Sequence, residues 1–178
     1  YSAGRENVVI PWAIGGVPVT TIGDGAFWES GIVSVIAPQT VTTIEDYAFD
    51  YCTSLASVIA PQAQTFGYSA FGSCYSLTSV TIPQATTIGD SAFYYCTSLT
   101  SINLPQATAI SDYAFGTCTS LTSVNMGRNA PAEAAYVFEG IDPPPNIHVT
   151  DPQATGWGDT WNGAPVVRPP LYGSNVTA

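Results

Sequence analysis

Hydrophobic and polar positions recur along the chain with a period of 22 residues. Phenylalanine marks the period most clearly, at Phe27, Phe49, Phe71, Phe93 and Phe115, with a sixth ring at Phe138. Cysteine keeps the same spacing at Cys52, Cys74, Cys96 and Cys118, and leucine keeps it at Leu55, Leu77, Leu99 and Leu121. Because one unit of this length cannot cover its own apolar face, the period predicts a solenoid of stacked units.

Each unit contains a short strand. Leu77, Val80 and Ile82 form the pattern Leu-x-x-Val-x-Ile, and the alternation at its end predicts a strand with one face directed inward. Ser79 and Thr81 then point outward. The proline that follows cannot donate to a ladder, so it ends the strand.

The second half of each unit predicts a turn. Ile88 faces inward again, and Asp90 stands three residues before Phe93. A carboxylate at that position suits the N-cap of a short helical or 3₁₀ turn, where it accepts free backbone N–H groups. A period near 22 residues falls within the range of leucine-rich repeats. We therefore expect an α/β solenoid: a right-handed leucine-rich coil with one parallel β-sheet and short 3₁₀ or irregular convex turns.

The repeat divides the chain into three segments. We expect residues 1–140 to form the solenoid, with about six coils of which the first is irregular. Residues 141–165 are expected to form a C-terminal cap, in which Trp157 and Trp161 cover the final coil. The composition of residues 166–178 is typical of a Pro-rich tail or linker.

The recurring phrases resemble a known repeat family. Thr-Ser-Val-Thr-Ile-Pro at 78–83 and Ile-Gly-Asp-Ser-Ala-Phe-Tyr-Tyr-Cys-Thr-Ser-Leu at 88–99 look like the BspA-type (Treponema-type) leucine-rich repeat. The resemblance covers about residues 7–127, and the stretch to 165 is similar to the C-terminal cap of that family. Known members are mostly bacterial, protozoan or viral surface proteins associated with adhesion. The resemblance therefore implies a surface-exposed binding role.

The net charge of the chain limits the kinds of molecule that it can bind. The chain has 13 acidic side chains, three basic ones and no lysine, which gives a net charge of −10. Such a field repels polyanions, so we expect no nucleic-acid binding. No apolar run approaches the roughly 18 residues of a membrane span, so we expect no membrane insertion either.

Catalytic chemistry has few candidates. His148 is the only imidazole, so a Ser–His–Asp or Cys–His site would have to use it. It falls at an outward or edge position of a strand predicted at 146–149. The sequence contains no nucleophile elbow, phosphate loop or dinucleotide-binding fingerprint, and we expect no enzymatic activity.

The four cysteines fall in one inward column beside the phenylalanines. Reduced buried thiols, disulfides between neighbouring coils and a metal site are the three alternatives. A single histidine and the lack of a Cys-x-x-Cys pair argue against a metal site. The inward position favours reduced thiols that pack as small hydrophobic groups.

Aspartate side chains at equivalent positions of neighbouring units could bind calcium, the one cofactor that the sequence suggests. The acidic pairs are Asp24 with Asp46, Asp90 with Asp112, and Asp142 with Asp151. Capping of the turns explains the aspartates that precede each phenylalanine without an ion. We therefore expect no cofactor, with Ca²⁺ as the alternative.

Two surfaces are candidates for binding. The outward strand positions of three successive units are Ser79, Thr81, Ser101, Asn103, Ser123 and Asn125, which form a flat, uncharged face. That face is either a solvated sheet surface or a ligand-facing one. Tyr51, Tyr94 and Tyr95 flank the Phe and Cys turns, where they either stack between coils or form a protein- or glycan-binding patch.

Two functions fit these features. The first is a non-catalytic extracellular or surface module that binds a protein or glycan on another cell. The second is a structural assembly subunit of a phage tail fibre, virion, surface layer or extracellular filament. The second follows from the strand predicted at 8–10, whose unpaired edge invites self-association, together with the C-terminal tail.

Overall fold

The computed structural model describes residues 6–132, 134–151 and 153–169, which form a stack of about seven turns. Residues 1–5 and 170–178, at the two ends of the predicted solenoid and tail, lie outside the described residues. The strands are β1 (Asn7–Val9), β2 (Ala13–Ile14), β3 (Val17–Pro18), β4 (Thr21–Ile22), β5 (Ser34–Ile36), β6 (Thr43–Ile44), β7 (Ser57–Ile59), β8 (Thr65–Phe66), β9 (Ser79–Thr81), β10 (Thr87–Ile88), β11 (Ser101–Leu104), β12 (Ala109–Ile110), β13 (Ser123–Met126), β14 (Asn146–Val149), β15 (Thr160–Trp161) and β16 (Ala164–Val167).

The predicted parallel strands stack in register on one side of the coil. One sheet has the order β1-β5-β7-β9, and a second continues the stack as β11-β13-β14-β16-β15. Ser57 pairs with Ser34 on one side and with Ser79 on the other, so equivalent positions of successive units are neighbours. The inward side chains of these strands, such as Val58 and Val124, are buried.

A second parallel ladder, which the sequence did not predict, runs along the stack. Its order is β12-β10-β8-β6-β4, with two residues from each coil. Its inward column consists of Ile22, Ile44, Phe66, Ile88 and Ile110, all buried. The expectation of a single parallel sheet was therefore wrong, because a two-residue strand is too short to show an alternation of apolar and polar side chains.

The phenylalanines form one interior column, as the period predicts. The rings of Phe49 and Phe71 lie parallel with centroids 5.0 Å apart, and those of Phe93 and Phe115 are 5.4 Å apart. All four side chains are fully buried. Stacked rings at this spacing add to the burial of their large apolar surface, so this column is a main source of packing energy.

The turns beside this column differ from the expected helical geometry. The structure contains no helix among the described residues, and the turns are irregular. Tyr47 and Tyr51 have φ of 54° and 56°, in the left-handed region that interrupts a helix. The same two positions have positive φ in the following coils, for example at Ser91 and Tyr95. Neither α nor 3₁₀ turns can propagate through such residues.

Backbone hydrogen bonds explain why the turns adopt this conformation. The amide of Asp50 donates to the carbonyl of Tyr47 three residues earlier, at 3.0 Å. The amides on either side, of Phe49 and Tyr51, instead donate to Ala70 and Gly72 of the next coil, at 2.8 and 2.9 Å. Every second amide thus points along the stack and joins neighbouring turns, which satisfies groups that a buried turn would otherwise leave unpaired.

The aspartates cap a neighbouring coil, not their own turn. An Asp46 carboxylate oxygen accepts a hydrogen bond from the amide of Tyr68 at 2.8 Å, and an Asp112 oxygen accepts one from the amide of Ala135 at 2.7 Å. The donor lies 22 or 23 residues ahead in each case. The predicted intra-turn N-cap was wrong at these positions because there is no helix to cap.

The four cysteines are free and buried in this structure, in the inward column that their spacing predicts. Each Sγ donates to a phenylalanine carbonyl of the preceding coil, for example from Cys74 to Phe49 at 3.2 Å and from Cys118 to Phe93 at 3.0 Å. Burial raises the pKa of Cys74 well above its ordinary value. The thiols therefore serve as small packing groups that also satisfy turn carbonyls.

Two tryptophans close the C-terminal end of the stack. The ring centroid of Trp161 lies 5.9 Å from that of Phe138 and 6.2 Å from that of Trp157. The indole nitrogens of Trp161 and Trp157 donate to the carbonyls of Pro131 and Arg128, each at 3.1 Å. Both rings are buried, so the last phenylalanine of the column is covered by amphipathic side chains whose polar atoms are paired.

The predicted strand at 146–149 is present as β14, but it is not the edge of the sheet. β16 pairs parallel with it, and β15 folds back antiparallel on β16. The stack therefore continues through Val166 and Val167, into the segment expected to be a tail.

The N-terminal end is built differently. Among the described strands β1 pairs with β5 alone, and the chain then forms a small antiparallel hairpin of β2 and β3. Trp12, Ile14 and Val17 of this hairpin region are exposed. The described part of the chain contains no helix with the length and apolarity needed to cross a membrane.

Candidate functional site

The outward side of the strands carries two parallel rows of side chains. The first row is Asn7, Ser34, Ser57, Ser79, Ser101, Ser123 and Asn146. The second row is Val9, Ile36, Ile59, Thr81, Asn103, Asn125, His148 and Val167. The structure thus brings the six predicted strand residues together on one face, which we call the outward strand face.

The second row changes character along the stack. Its first three members are aliphatic and unusually open, with Val9 at 68%, Ile36 at 44% and Ile59 at 41% exposure. From Thr81 onward the side chains are polar as far as His148. The strand alternation also places Ile36 and Ile59 outward, but the candidate binding residues were taken only from the polar half. The signal was present in Ile36 and Ile59, which stand where later units have Thr or Asn.

The outward strand face is interrupted at the centre. The ladder between β9 and β11 is broken, and a shallow cleft of about 120 Å³ lies there, lined by Val80, Thr81, Ile82, Pro83 and Asn103. Thr81 and Asn103, two of the predicted residues, therefore flank a depression in the sheet. Such a depression can seat a ligand side chain that a flat sheet cannot hold.

The predicted tyrosines lie on the turns and do not join the outward strand face. Tyr94 and Tyr95 pack edge to face with centroids 4.6 Å apart, whereas Tyr51 lies two coils earlier. Tyr94 also occupies the space above Gly116, where an added Cβ would meet its ring at 2.7 Å. Tyr94 therefore packs between coils, while Tyr51 and Tyr95 keep about half of their surface open.

A groove that the sequence analysis missed lies around the first of these tyrosines. It has a volume of about 400 Å³ and is lined by Asp24, Gly25, Trp28, Tyr47, Asp50 and Tyr51. We call it the Trp28 groove. Its rings come from two neighbouring coils, and carboxylates lie among them.

Asp50 is the unusual member of the Trp28 groove. Its side chain is only 7% exposed, and this burial raises the pKa of the Asp50 carboxyl above its ordinary value, with Glu29 adding to the effect. Hydrogen bonds from the Tyr51 backbone and the Trp28 side chain act in the opposite direction. Gly72 of the next coil makes room for the carboxylate, since a Cβ there would lie 2.4 Å from its oxygen. The signal in the sequence was an acid followed one unit later by glycine.

The remaining candidates for chemistry stay apart. His148 lies on the outward strand face between Asn125 and Val167. Within residues 6–132, 134–151 and 153–169, no three His, Cys, Asp or Glu side chains lie close enough to hold a metal ion. The calcium alternative therefore has no cluster to support it in this part of the chain.

Comparison with known protein families identifies the same repeat. The model of the BspA type leucine rich repeat region matches residues 20–142 in six copies. No curated protein matches the chain.

Solved structures with the same architecture come from bacteria. The Treponema pallidum leucine rich repeat protein is 28% identical with a TM-score of 0.66, over 80% of this chain and 72% of that one. A leucine-rich repeat protein from Bacteroides ovatus is 27% identical with a TM-score of 0.67, over 81% of this chain but only 41% of that one. The pneumococcal vaccine antigen PcpA, at 20% identity and a TM-score of 0.55 over 68% of this chain and 31% of that one, shares the fold. With its phenylalanine column, its parallel ladders and six matched copies of the repeat, the chain belongs to the BspA-type leucine-rich repeat family.

Proposed function

We propose that this protein is a non-catalytic binding module on a cell or virion surface or in the extracellular space. Its outward strand face would contact a protein or glycan on another cell. The observation that supports this proposal is the second row of that face, which changes from exposed aliphatic side chains to amide and hydroxyl groups along a rigid stack. Such a surface offers both apolar area and hydrogen-bonding groups without any closing motion.

The low number of charged side chains on this face supports a neutral or weakly charged contact surface. Interfaces are commonly depleted of lysine and acidic residues at their centre. The two rows of the outward strand face contain no Asp, Glu, Lys or Arg. The proposed contact requires no cofactor, so EDTA is expected to leave it unchanged.

Binding to immobilised matrix proteins and to a glycan array tests the proposal. The double variant Ile36→Ser/Ile59→Ser and the double variant Thr81→Ala/Asn103→Ala should each weaken binding to whichever partner is captured. Thr119→Ala, at an exposed turn position, is the matched control and should bind normally. Absence of binding to every immobilised protein and glycan, or equal loss in the control, would contradict the proposal.

A structural assembly subunit is the second candidate, and one observation favours it. Trp12, Ile14 and Val17 expose more than half of their surface, and the outer edge of β1 has no partner strand within the part of the chain that the structure describes. Exposed apolar side chains next to an unpaired edge strand are typical of surfaces that pair with another chain.

Sedimentation across a wide range of protein concentrations tests this second function. Assembly predicts a mass that rises with concentration. The triple variant Trp12→Ser/Ile14→Ser/Val17→Ser should abolish the rise. A monomer at the highest concentration would exclude assembly through this end.

A further inference from the structure

The Trp28 groove combines open aromatic faces with a buried carboxylate. Trp28, Tyr47 and Tyr51 are each about half exposed, although each has a large apolar ring. Below them, Asp50 is buried between the coil of Trp28 and the coil of Gly72. The arrangement leaves apolar surface and a charge-bearing group facing the same space.

The electrostatic surroundings of the groove are negative. Burial raises the pKa of the Tyr47 hydroxyl, and the neighbouring Tyr68 and the carboxylates of Asp46, Asp50 and Asp24 raise it further. No basic side chain lines the groove.

The described arginines lie at the other end of the stack. Arg128 pairs with Asp151 at 3.6 Å, and Arg168 donates to backbone carbonyls of Trp157 and Gly158. Within the described residues, therefore, no arginine side chain reaches the groove.

The chemistry of an occupant follows from these two features. An apolar side chain would cover the rings but would seal Asp50 away from water with hydrogen bonds from Tyr51 and Trp28 and no counter-charge in the groove, which is costly for a carboxylate. A protonated amine or guanidinium satisfies both parts, because ring faces attract cations and a carboxylate pairs with them. The net charge of −10 would also attract a basic segment from a distance.

We propose that the Trp28 groove binds a lysine or arginine side chain on an exposed segment of a protein partner. This inference rests on the proposed binding function and gives the chemical class of one partner group. It assigns that contact to the turn side of the molecule, separate from the outward strand face.

Titration of the ¹⁵N-labelled chain with short peptides tests the inference. The probes are Gly-Ser-Lys-Ser-Gly, the same peptide with arginine, and the same peptide with norleucine in the central position. The indole N–H signal of Trp28 reports occupancy directly. We expect a saturable shift with the lysine and arginine peptides and at least about fivefold weaker binding of the norleucine peptide, the size expected for one partly desolvated cation–ring contact with its ion pair.

Asp50→Asn keeps the shape of the side chain and removes its charge, so it should weaken binding of the arginine peptide about fivefold. Asp24→Asn, at an exposed position lining the same groove, gives a second and independent loss of affinity if Asp50→Asn disturbs the fold. Asp90→Asn is the matched control, since it removes an exposed carboxylate from the turn of another coil and should bind the arginine peptide normally.

Several results would overturn the inference. They are equal shifts with norleucine and lysine peptides, no saturable shift with either cationic peptide, and unchanged affinity in both the Asp50 and Asp24 variants. A saturable shift with maltotriose but none with the cationic peptides would assign the groove to glycans and also overturn it. The failure of the groove inference can be told apart from the failure of the proposed function. In that case no cationic peptide binds, the Asp50→Asn variant still binds the immobilised partner, and the Thr81→Ala/Asn103→Ala variant no longer binds it. The groove inference then fails while the proposed function stands.

Discussion

The two ends of the solenoid differ in how the apolar surface of the terminal coil is covered. At the C-terminal end, Trp161 is 3% exposed and covers the last phenylalanine ring, whereas at the N-terminal end Trp12 is 67% exposed and covers nothing comparable. β16 and β15 also extend the sheet at the first end, while β1 leaves one edge unpaired at the second. A stack of identical units does not define its own ends, so each end needs its own sequence. Within the described residues, the C-terminal end is covered by buried aromatic side chains, and the N-terminal end is not.

The largest expected effect comes from the centre of the phenylalanine column. Phe93→Ala should lower the free energy of unfolding by about 3–5 kcal/mol, because it leaves a cavity between two stacked rings. Phe27→Ala, at the half-buried N-terminal end of the same column, should cost clearly less. Urea denaturation measures both. A loss below about 1 kcal/mol at Phe93 would contradict the inward column.

Truncation of the tryptophans compares the two ends directly. Trp161→Ala should cost about 3 kcal/mol, since it uncovers Phe138 and leaves the Pro131 carbonyl without its donor. Trp12→Ala should change the free energy of unfolding by less than about 0.5 kcal/mol, because its ring is mostly in solvent already. Equal losses in thermal or urea melts would mean that the hairpin caps the stack as well as the tryptophans do.

The cysteines should be protected to different degrees along the stack. Burial raises the pKa of Cys52, and it raises those of Cys74 and Cys96 well above the ordinary value. At pH 8 the native chain should therefore react slowly with a thiol reagent such as DTNB, with Cys52 near the N-terminal end reacting first and the others only on unfolding. Mass spectrometry of partly labelled protein identifies the order. Fast labelling of Cys96 in the native state would contradict a tight interior.

Substitutions on the outward strand face should leave stability almost unchanged. Ser79→Ala and Thr81→Ala remove exposed hydroxyls, so each should alter the free energy of unfolding by less than about 0.5 kcal/mol. The same variants should alter partner binding if the face is a contact surface. A large loss of stability in urea would indicate that these side chains hold neighbouring coils together.

The smallest expected effect concerns the pH dependence contributed by Asp50. Its folded pKa is raised by burial, so the folded state holds this proton more tightly than the unfolded state. The stability from the protonated form is present below the ordinary value of 3.8 and is lost as the pH rises through the raised folded pKa. Asp50→Asn should therefore flatten the stability profile in that window, measured by urea melts. A steeper profile in the variant would show that the sign is wrong.

The buried columns were predictable because each depends on one residue type at one spacing. Phe49 and Phe71 share one position of the unit, Cys52 and Cys74 share another, and each copy faces the same environment. The family resemblance came from the same positions. The solenoid and its parallel strands were therefore predictable from the sequence, whereas the expected helical geometry of the turns is absent from the described residues.

The second ladder and the turn conformation were not predictable in the same way. A two-residue strand such as Thr87–Ile88 has no periodicity of its own. Positive φ is usually signalled by glycine or asparagine, but here it occurs at Tyr47 and Tyr51, where bonds to the next coil hold the backbone. The strand Ala164–Val167 was hidden because it contains and precedes prolines that suggest a linker.

The candidate groove could not be found by inspecting one unit. Asp50 becomes buried because Trp28 lies one coil before it and Gly72 one coil after it. None of the three residues is conspicuous alone. The outward strand residues, by contrast, followed from simple alternation within one strand.

The close approach of Gly72 to Asp50 limits which repeat units can be duplicated without a steric clash. Gly116 stands in the same relation to Tyr94, so from Asp50 onward a longer side chain alternates with glycine at this position of successive units. Duplicating the single unit that carries Tyr94 would place a second tyrosine against the first, where only glycine leaves space. Unequal recombination that copies this unit alone would therefore create a steric clash, whereas copying a unit with glycine at this position, or two consecutive units together, avoids it.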